Sequence, residues 1–366
     1  MAMNGVFFRV DSGSHIGSGH LRRCLSFADA LHEVGFSVSF ITKDHFGSAI
    51  EEIPEYISIH VIPGGLKKGQ EVEKDNYSQW LGGSWEDDLR STNAVLSQYS
   101  EAGLVVIDHY SLGLSYEKGL RCAKLFVIDD LSGRPHCCDY FLDQNLPSSM
   151  RTHRLLRRNA STRTYLGPRY SLQDKSFSTL RARIDPDTIG DKAIEKILVF
   201  FGGGDICNST INLARALNGD MLGKYEFTFV LDQRHGTFPE MTKFVSSNPQ
   251  RCSLISFTST FSELMMEHDF FIGAGGSTSW ERATLGIPSA VISMAENQVG
   301  ICESLGREGL AHYLGAAESV TKSDWLNLFS DILSDRYLVK TMALKGFDLT
   351  DGTGAMKIAR DLRKAL

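Results

Sequence analysis

The residues best placed to do chemistry sit in two glycine-rich turns. The first, Asp11-Ser-Gly-Ser-His-Ile-Gly-Ser-Gly-His20, lies between a strand-like run, Val6 to Val10, and a segment with Leu21, Cys24, Leu25, Ala28 and Leu31 at helical spacing. Strand, glycine turn, helix is where open α/β sheets bind ligands. No third glycine completes a GxGxxG after Gly17 and Gly19, and no Lys-Ser/Thr follows, so neither the dinucleotide fingerprint nor the P-loop fits. Gly17 and Gly19 instead let a ligand approach the backbone, and His20, starting the helix, is a candidate base. A capping or packing histidine fits the same spacing equally well; His15, within the loop, is a lesser candidate.

The second turn is Gly273-Ala-Gly-Gly-Ser-Thr-Ser-Trp-Glu281, after a strand at Phe270 to Ile272. Gly273, Gly275 and Gly276 lead to Ser277-Thr278-Ser279 before a helix, and free amides at a helix N-terminus, with hydroxyls alongside, form an anion site that needs neither metal nor net positive charge. Glu281, one turn on, suits a ribose diol, or closes a capping box with Ser277 or Thr278; spacing does not choose. After the next strand, Ala290 to Met294, come Asn297 and Gln298, suited to sugar hydroxyl or acetamido groups, with a helix cap as the plain alternative.

These turns need two scaffolds. A chain of 366 residues exceeds one ordinary core. Strand-like runs alternate with helical periodicity throughout, the pattern of parallel sheets covered by helices. Strands are expected at Val6 to Val10, Val38 to Thr42, Leu104 to Ile107, Leu125 to Ile128 and Tyr140 to Asp143. In the second half they fall at Ile197 to Phe201, Phe227 to Leu231, Ser253 to Phe257, Phe270 to Ile272 and Ala290 to Met294. The boundary falls near the end of the Arg-, Ser- and Asp-rich stretch from Arg151 to Lys192. The polar insertion Gly64 to Asp88 is long for a compact domain, and such loops are commonly functional. Gly354 to Leu366 reads as a basic helix.

The net charge of -6, with both signs interspersed, gives no footprint for nucleic acid or an anionic membrane surface. With no membrane-length apolar run and no signal-peptide pattern, a cytoplasmic location is expected. Seven irregularly spaced cysteines read as reduced thiols. His136-Cys137-Cys138-Asp139 lacks a second ligand pair, so it reads as a turn entering a strand and no metal or other cofactor is expected.

Several segments, in order, resemble the UDP-sugar hydrolase family of the pseudaminic acid pathway, related to the GT-B glycosyltransferases. They are Phe8 to Ser14, Ile16 to Leu25, Val106 to Tyr110, Ile128 to Leu131, Tyr165 to Tyr170, Phe201 to Asp205, Gly273 to Glu281 and Leu285 to Gln298. The resemblance implies an α/β, GT-B-like fold of two Rossmann-type doubly wound domains facing each other across a crevice. The domains are expected at 1–175 and 193–345, with a linker at 176–192 and C-terminal helices at 346–366 packing back toward the first domain. It implies His20, Tyr110 and Asn297 as catalytic residues and Gly275, Gly276, Ser277, Thr278 and Glu281 as nucleotide-binding. Asp11, Gly17, Gly19 and Gln298 are implied as substrate-binding; the Gln298 position also resembles a sugar-contacting glutamine of the glycosyltransferase that completes lipid II. The implied reaction is metal-independent, inverting hydrolysis of a UDP-linked diacetamido-trideoxy sugar to free sugar and UDP, serving flagellin or surface-glycan modification, with no stable membrane association. The alternatives are a GT-B glycosyltransferase and a non-catalytic nucleotide-sugar-binding protein. Gly204, where a Ser or Thr is expected before Asp205, and Gln173, near an expected arginine, depart from the pattern. The Gly64 to Asp88 insertion, containing Tyr77 to Gly82, resembles that of longer members of the family and is expected to reach toward the crevice.

Overall fold

The computed structural model describes residues 5–146, 154–157 and 162–366, other than 71, 74, 75, 100, 101, 132, 203, 204, 206, 257 and 259. The departure at Gly204 and the end of the strand expected to reach Phe257 lie outside the described residues. The chain divides into two compact units, Met1–Gln173 with Thr353–Leu366, and Asp174–Gly352.

The first unit holds β1 (Gly5–Val10), β2 (Ser37–Lys43), β3 (Ser58–Ile62), β4 (Ala102–Asp108), β5 (Lys124–Ile128), β6 (Pro135–Cys138), β7 (Tyr140–Asp143), β8 (Arg154–Arg157) and β9 (Arg163–Leu166). Seven form a parallel sheet in the order β3-β2-β1-β4-β5-β7-β9, while β6 and β8 pair separately. Both faces of the sheet are covered, which is why its strands read as near-continuous apolar runs. In β1, Val6, Phe8 and Val10 share a core with Phe27, Leu31, Ile358 and Leu362 of two helices, Gly19–Glu33 and Gly354–Ala365. Phe7 joins Val105, Ile107 and Leu81 in another core. Each buried phenylalanine contributes roughly 2–3 kcal/mol of transfer free energy. His136, Cys137 and Cys138, read as a turn entering a strand, lie on β6.

The second unit holds β10 (Lys196–Phe200), β11 (Glu226–Val230), β12 (Cys252–Ile255), β13 (Phe270–Ala274), β14 (Ser289–Ser293) and β15 (His312–Ala316), all parallel, in the order β12-β11-β10-β13-β14-β15. In each sheet the strand order reverses once, between β1 and β4 and between β10 and β13, and ligands bind beyond the strand ends at such a switch point.

Residues 176–192, expected as a linker, pack instead within the second unit. Asp174 caps the helix Lys175–Arg181 by accepting from the Ser176 amide, and Phe177 enters a core with Leu198, Phe271 and Leu285. Ile189 packs with Ala343 and Phe347. The helix Arg336–Leu349 runs uninterrupted through the boundary expected at 345 and belongs to the second unit, where Gly346 lets it approach Ala283. Of the C-terminal helices, Gly354–Ala365 packs on the first unit through its Ala355, Ile358, Ala359 and Leu362 face.

Candidate active site

The register of β1 on β4 builds the constellation of the first unit. Val10 lies opposite Asp108, so the end of β1, with the turn and helix that follow, sits beside the end of β4. His20 is in the first turn of that helix, almost buried, with Nδ1 2.6 Å from Asp108 Oδ1. Arg23, on the same helix face three residues on, donates from Nε to Asp108 Oδ2 and from Nη2 to Oδ1, both at 2.6 Å. Its Nη1 donates to Asp130 Oδ2 at 3.0 Å. Burial alone would raise the Asp108 carboxyl, but Arg23 and then His20 outweigh it and hold it well below the usual carboxylate range. The ionised Asp108 oxygen at 2.6 Å, nearer than the Arg23 Nη2 donor 3.1 Å from the same nitrogen, assigns a proton to Nδ1, so that in the neutral ring Nε2 is the acceptor.

Tyr110 stands edge-on to His20, ring centroids 4.6 Å apart, and its hydroxyl donates to Asp130 Oδ1. Burial, with Asp130 beside it, pushes the phenol well above its ordinary value, so the Tyr110 hydroxyl stays protonated and its hydrogen is given to Asp130 in a hydrogen bond. Asp130, raised by burial, is brought down to about 2 by Arg23, His20 and the Tyr110 hydroxyl. The structure thus brings His20 and Tyr110 together and adds Asp108, Arg23 and Asp130.

Asp11, expected to touch substrate, is fully buried and occupied by the protein itself. Arg9 donates to both its oxygens, at 2.5 and 2.9 Å, the Lys43 amide donates to Oδ1 at 2.8 Å, and His109 and His45 lie 3.2 and 3.4 Å from Oδ2. Arg9 also pairs with Asp88, as does Lys43 at 3.0 Å. A carboxylate so surrounded supports the turn and has no oxygen directed to a ligand. Gly17, by contrast, has φ +79°, which favours glycine, and a Cβ at Gly17 or Gly19 would meet no atom within 4 Å. The backbone there has open space beside it.

The insertion lies over this constellation. Its 3-10 segment Tyr77–Leu81 brings the Trp80 ring 6.1 Å from His20 and 5.5 Å from Tyr110, while Ser84 caps the helix Trp85–Leu96. His15, the lesser base candidate, has its Nε2 3.0 Å from the Trp80 carbonyl.

In the second unit, β13 runs into Gly275 and Gly276 and then the helix Thr278–Leu285. A Cβ on Gly275 would fall 2.1 Å from Cys302 Sγ, so the turn is built for glycine. Ser277 makes no side-chain capping bond, so the capping alternative open to it in the sequence is not adopted. Ser277 is exposed and Thr278 half-buried. The neighbouring helix, Ser209–Ala216 after β10, is different: Asp205 accepts from the Ser209 and Thr210 amides at 2.8 and 2.9 Å, filling its N-terminus with the protein's own carboxylate. Of these two helix starts flanking the switch point, the one at Gly275 to Thr278 is the one that suits an external anion. Gln298 accepts from the Met294 amide at 2.9 Å and turns its amide nitrogen toward Gly276. Asn297 is half-buried in the first turn of the helix Glu296–Arg307, and Glu281 is half-buried in the first turn of its own. His20 and Tyr110 thus belong to one unit and Asn297, Gln298 and the Gly275 turn to the other.

Sequence reasoning missed Asp108, Arg23, Asp130 and Trp80. Arg23 carried a signal, helical spacing from His20; Asp108 and Asp130 carried a weaker one, since both close strand-like runs.

The fold is that of the GT-B glycosyltransferases, with two Rossmann-type domains on parallel sheets. It is similar to MurG of Acinetobacter baumannii (TM-score 0.64, 14% identity, 99% of this chain and 100% of that one). It is also similar to UGT2 of Phytolacca americana, solved with UDP-2fluoro-glucose and pterostilbene (TM-score 0.67, 14% identity, 100% of both chains). Among characterised sequences, the chain is 27% identical over 205 residues to the spore coat polysaccharide biosynthesis protein SpsG of Bacillus subtilis, covering 56% of this chain and 59% of that protein. It is 28% identical over 143 residues to the UDP-2,4-diacetamido-2,4,6-trideoxy-beta-L-altropyranose hydrolase of Campylobacter jejuni, covering 38% of this chain and 41% of that protein. The matches therefore span well under two thirds of either relative. No family model matches the chain. Among the described residues no helix is long and apolar enough to cross a membrane, and no group of three or more His, Cys, Asp or Glu is arranged to hold a metal ion.

Proposed function

We propose that this protein hydrolyses the anomeric C–O bond of a UDP-linked diacetamido-trideoxy sugar, with inversion, to give UDP and the free sugar. The observation that carries the reading is the Asp108–His20 pair: an ionised, buried carboxylate fixes the proton on Nδ1 and presents Nε2 as an acceptor. Nε2 takes a proton from water as the water oxygen bonds to C1. The C1–O bond to the diphosphate breaks, and its electron pair leaves with UDP. The diphosphate is held by the amides at Gly275, Gly276, Ser277 and Thr278 and the ribose by Glu281, so that charge growing on the leaving group meets a helix N-terminus. Tyr110 and Asn297 orient the water and the sugar, Gln298 contacts the sugar, and Gly17 and Gly19 line its path.

The hydrolase among the relatives, 28% identical over 143 residues, supports water as the acceptor. Transfer to an acceptor hydroxyl is the second reading, favoured by the similarity of the whole fold to glycosyltransferases. Incubation with the UDP-sugar alone separates them. Hydrolysis gives equimolar UDP and free sugar with no acceptor present, and His20→Ala abolishes release while UDP still binds. Turnover only on adding an acceptor would replace hydrolysis by transfer, and near-normal turnover by the His20 variant would remove the assignment of the base.

A further inference from the structure

The insertion has no role in the scheme above, yet it is fixed with care. The Ser111 hydroxyl donates to the Tyr77 carbonyl at 2.5 Å, Lys43 Nζ to the Leu81 carbonyl at 2.8 Å, and His15 Nε2 lies 3.0 Å from the Trp80 carbonyl. Leu81 is buried in the core of the first unit. Gly82 closes the segment with φ +69°, and a Cβ there would fall 2.5 Å from the Gly64 carbonyl oxygen, so the closure requires glycine. These bonds hold the backbone and leave the Trp80 ring, half-exposed, as the part that faces the site. Its plane lies 82° from that of His20 and 31° from that of Tyr110. Tyr77 completes the group, its ring 5.0 Å from both Trp80 and Tyr110.

We infer that Trp80 is a specificity-determining residue: its indole forms the apolar wall of the sugar subsite at His20 and packs against the C–H face and methyl substituent of a deoxy sugar. The inference rests on His20 being where the anomeric carbon reacts. The physical basis is that a large, rigid ring gains from contact with C–H groups. A hydroxyl placed against the same ring finds no acceptor and loses its water, so a deoxy position is favoured over its hydroxylated counterpart.

The test uses binding, which does not depend on whether water or another acceptor receives the sugar. In a His20→Asn background, which removes the Nε2 acceptor while placing an amide near the Nδ1 position, calorimetry compares UDP with a UDP-linked 2,4-diacetamido-2,4,6-trideoxyhexose and with its 6-hydroxy counterpart. We expect Trp80→Ala to leave UDP affinity within about twofold and to weaken the 6-deoxy sugar nucleotide by about 10- to 200-fold. The 6-hydroxy compound should lose less, and Trp80→Phe should recover most of the affinity. Thermal melting of each variant confirms that it is folded. Equal losses for UDP and the sugar nucleotide, or no loss for either, would overturn the inference. If wild-type protein releases no free sugar while the deoxy preference still depends on Trp80, hydrolysis falls and the Trp80 assignment stands. If hydrolysis proceeds and the preference ignores Trp80, the reverse holds.

Discussion

At the scale of single residues the proposed chemistry depends on which His20 nitrogen carries the proton, and Asp108 is the carboxylate that faces Nδ1. Asp108→Asn keeps the shape but offers the imidazole an amide in place of a carboxylate. We expect kcat to fall about 10²- to 10⁴-fold with KM and UDP affinity nearly unchanged; a parallel rise in KM would instead mark a binding role. Removing the side chain altogether leaves the buried Arg23 guanidinium paired with Asp130 alone and its Nε and Nη2 donors without an acceptor, so Asp108→Ala should also cost about 1–3 kcal/mol of stability by chemical denaturation. His20 was visible in the sequence because a strand, a glycine turn and a helix bracket it. Asp108 was not, since its partnership depends on β4 lying beside β1 in one particular register, and spacing along the chain carries no register. Asp11 misled for the opposite reason: it heads the motif, but its carboxylate is turned inward onto Arg9.

Among the elements, one buried pairing ties β5, β6 and a helix together. His136 of β6 has Nδ1 2.6 Å from Glu117 of the helix Leu114–Gly119 and Nε2 2.9 Å from Asp129 after β5. Burial lowers its affinity for a proton, but Asp129 and Glu117 outweigh this and raise the imidazole from its ordinary 6.5 to about 9. A raised folded value means that this stabilisation, about 3 kcal/mol for a shift of that size, is fully present below pH 6.5 and is lost as pH climbs through 9. The melting temperature should therefore fall across that window, and in His136→Gln the fall should shrink while stability at pH 7 drops by about 3 kcal/mol; an unchanged profile would show that His136 is neutral. In the Gly275 turn, Gly275→Ala drives a methyl onto Cys302 Sγ, so stability should drop by about 1–3 kcal/mol. UDP binding should weaken as the turn shifts, and Cys302→Ala in the same chain should restore much of both. The central strands of each sheet were legible as apolar runs because both faces are buried. β3, β9 and β15 were not, being peripheral, short and mostly half-buried or exposed, and the residues taken for a linker carried their packing in isolated positions, Phe177 and Ile189.

For the whole molecule, sheets of seven and six strands each reverse strand order once, three strands in from one edge, giving two switch points, with His20, the proposed proton acceptor, at one and the Gly275 turn, the proposed anion site, at the other. Binding and chemistry should then separate by mutation. Glu281→Ala should weaken UDP by about tenfold, the loss of a hydrogen-bonded carboxylate, whereas His20→Ala should leave UDP affinity intact. If both variants lose UDP equally, the division of labour between the units is wrong. The most direct measurement follows the anomeric proton by NMR as wild-type protein acts on a UDP-linked 2,4-diacetamido-2,4,6-trideoxy sugar with no acceptor and with divalent metal chelated. We expect free sugar of inverted anomeric configuration to appear together with UDP, and neither to form with the His20→Ala variant. Persistence of the starting material, or sugar first released with retained configuration, would contradict hydrolysis by water activated at His20.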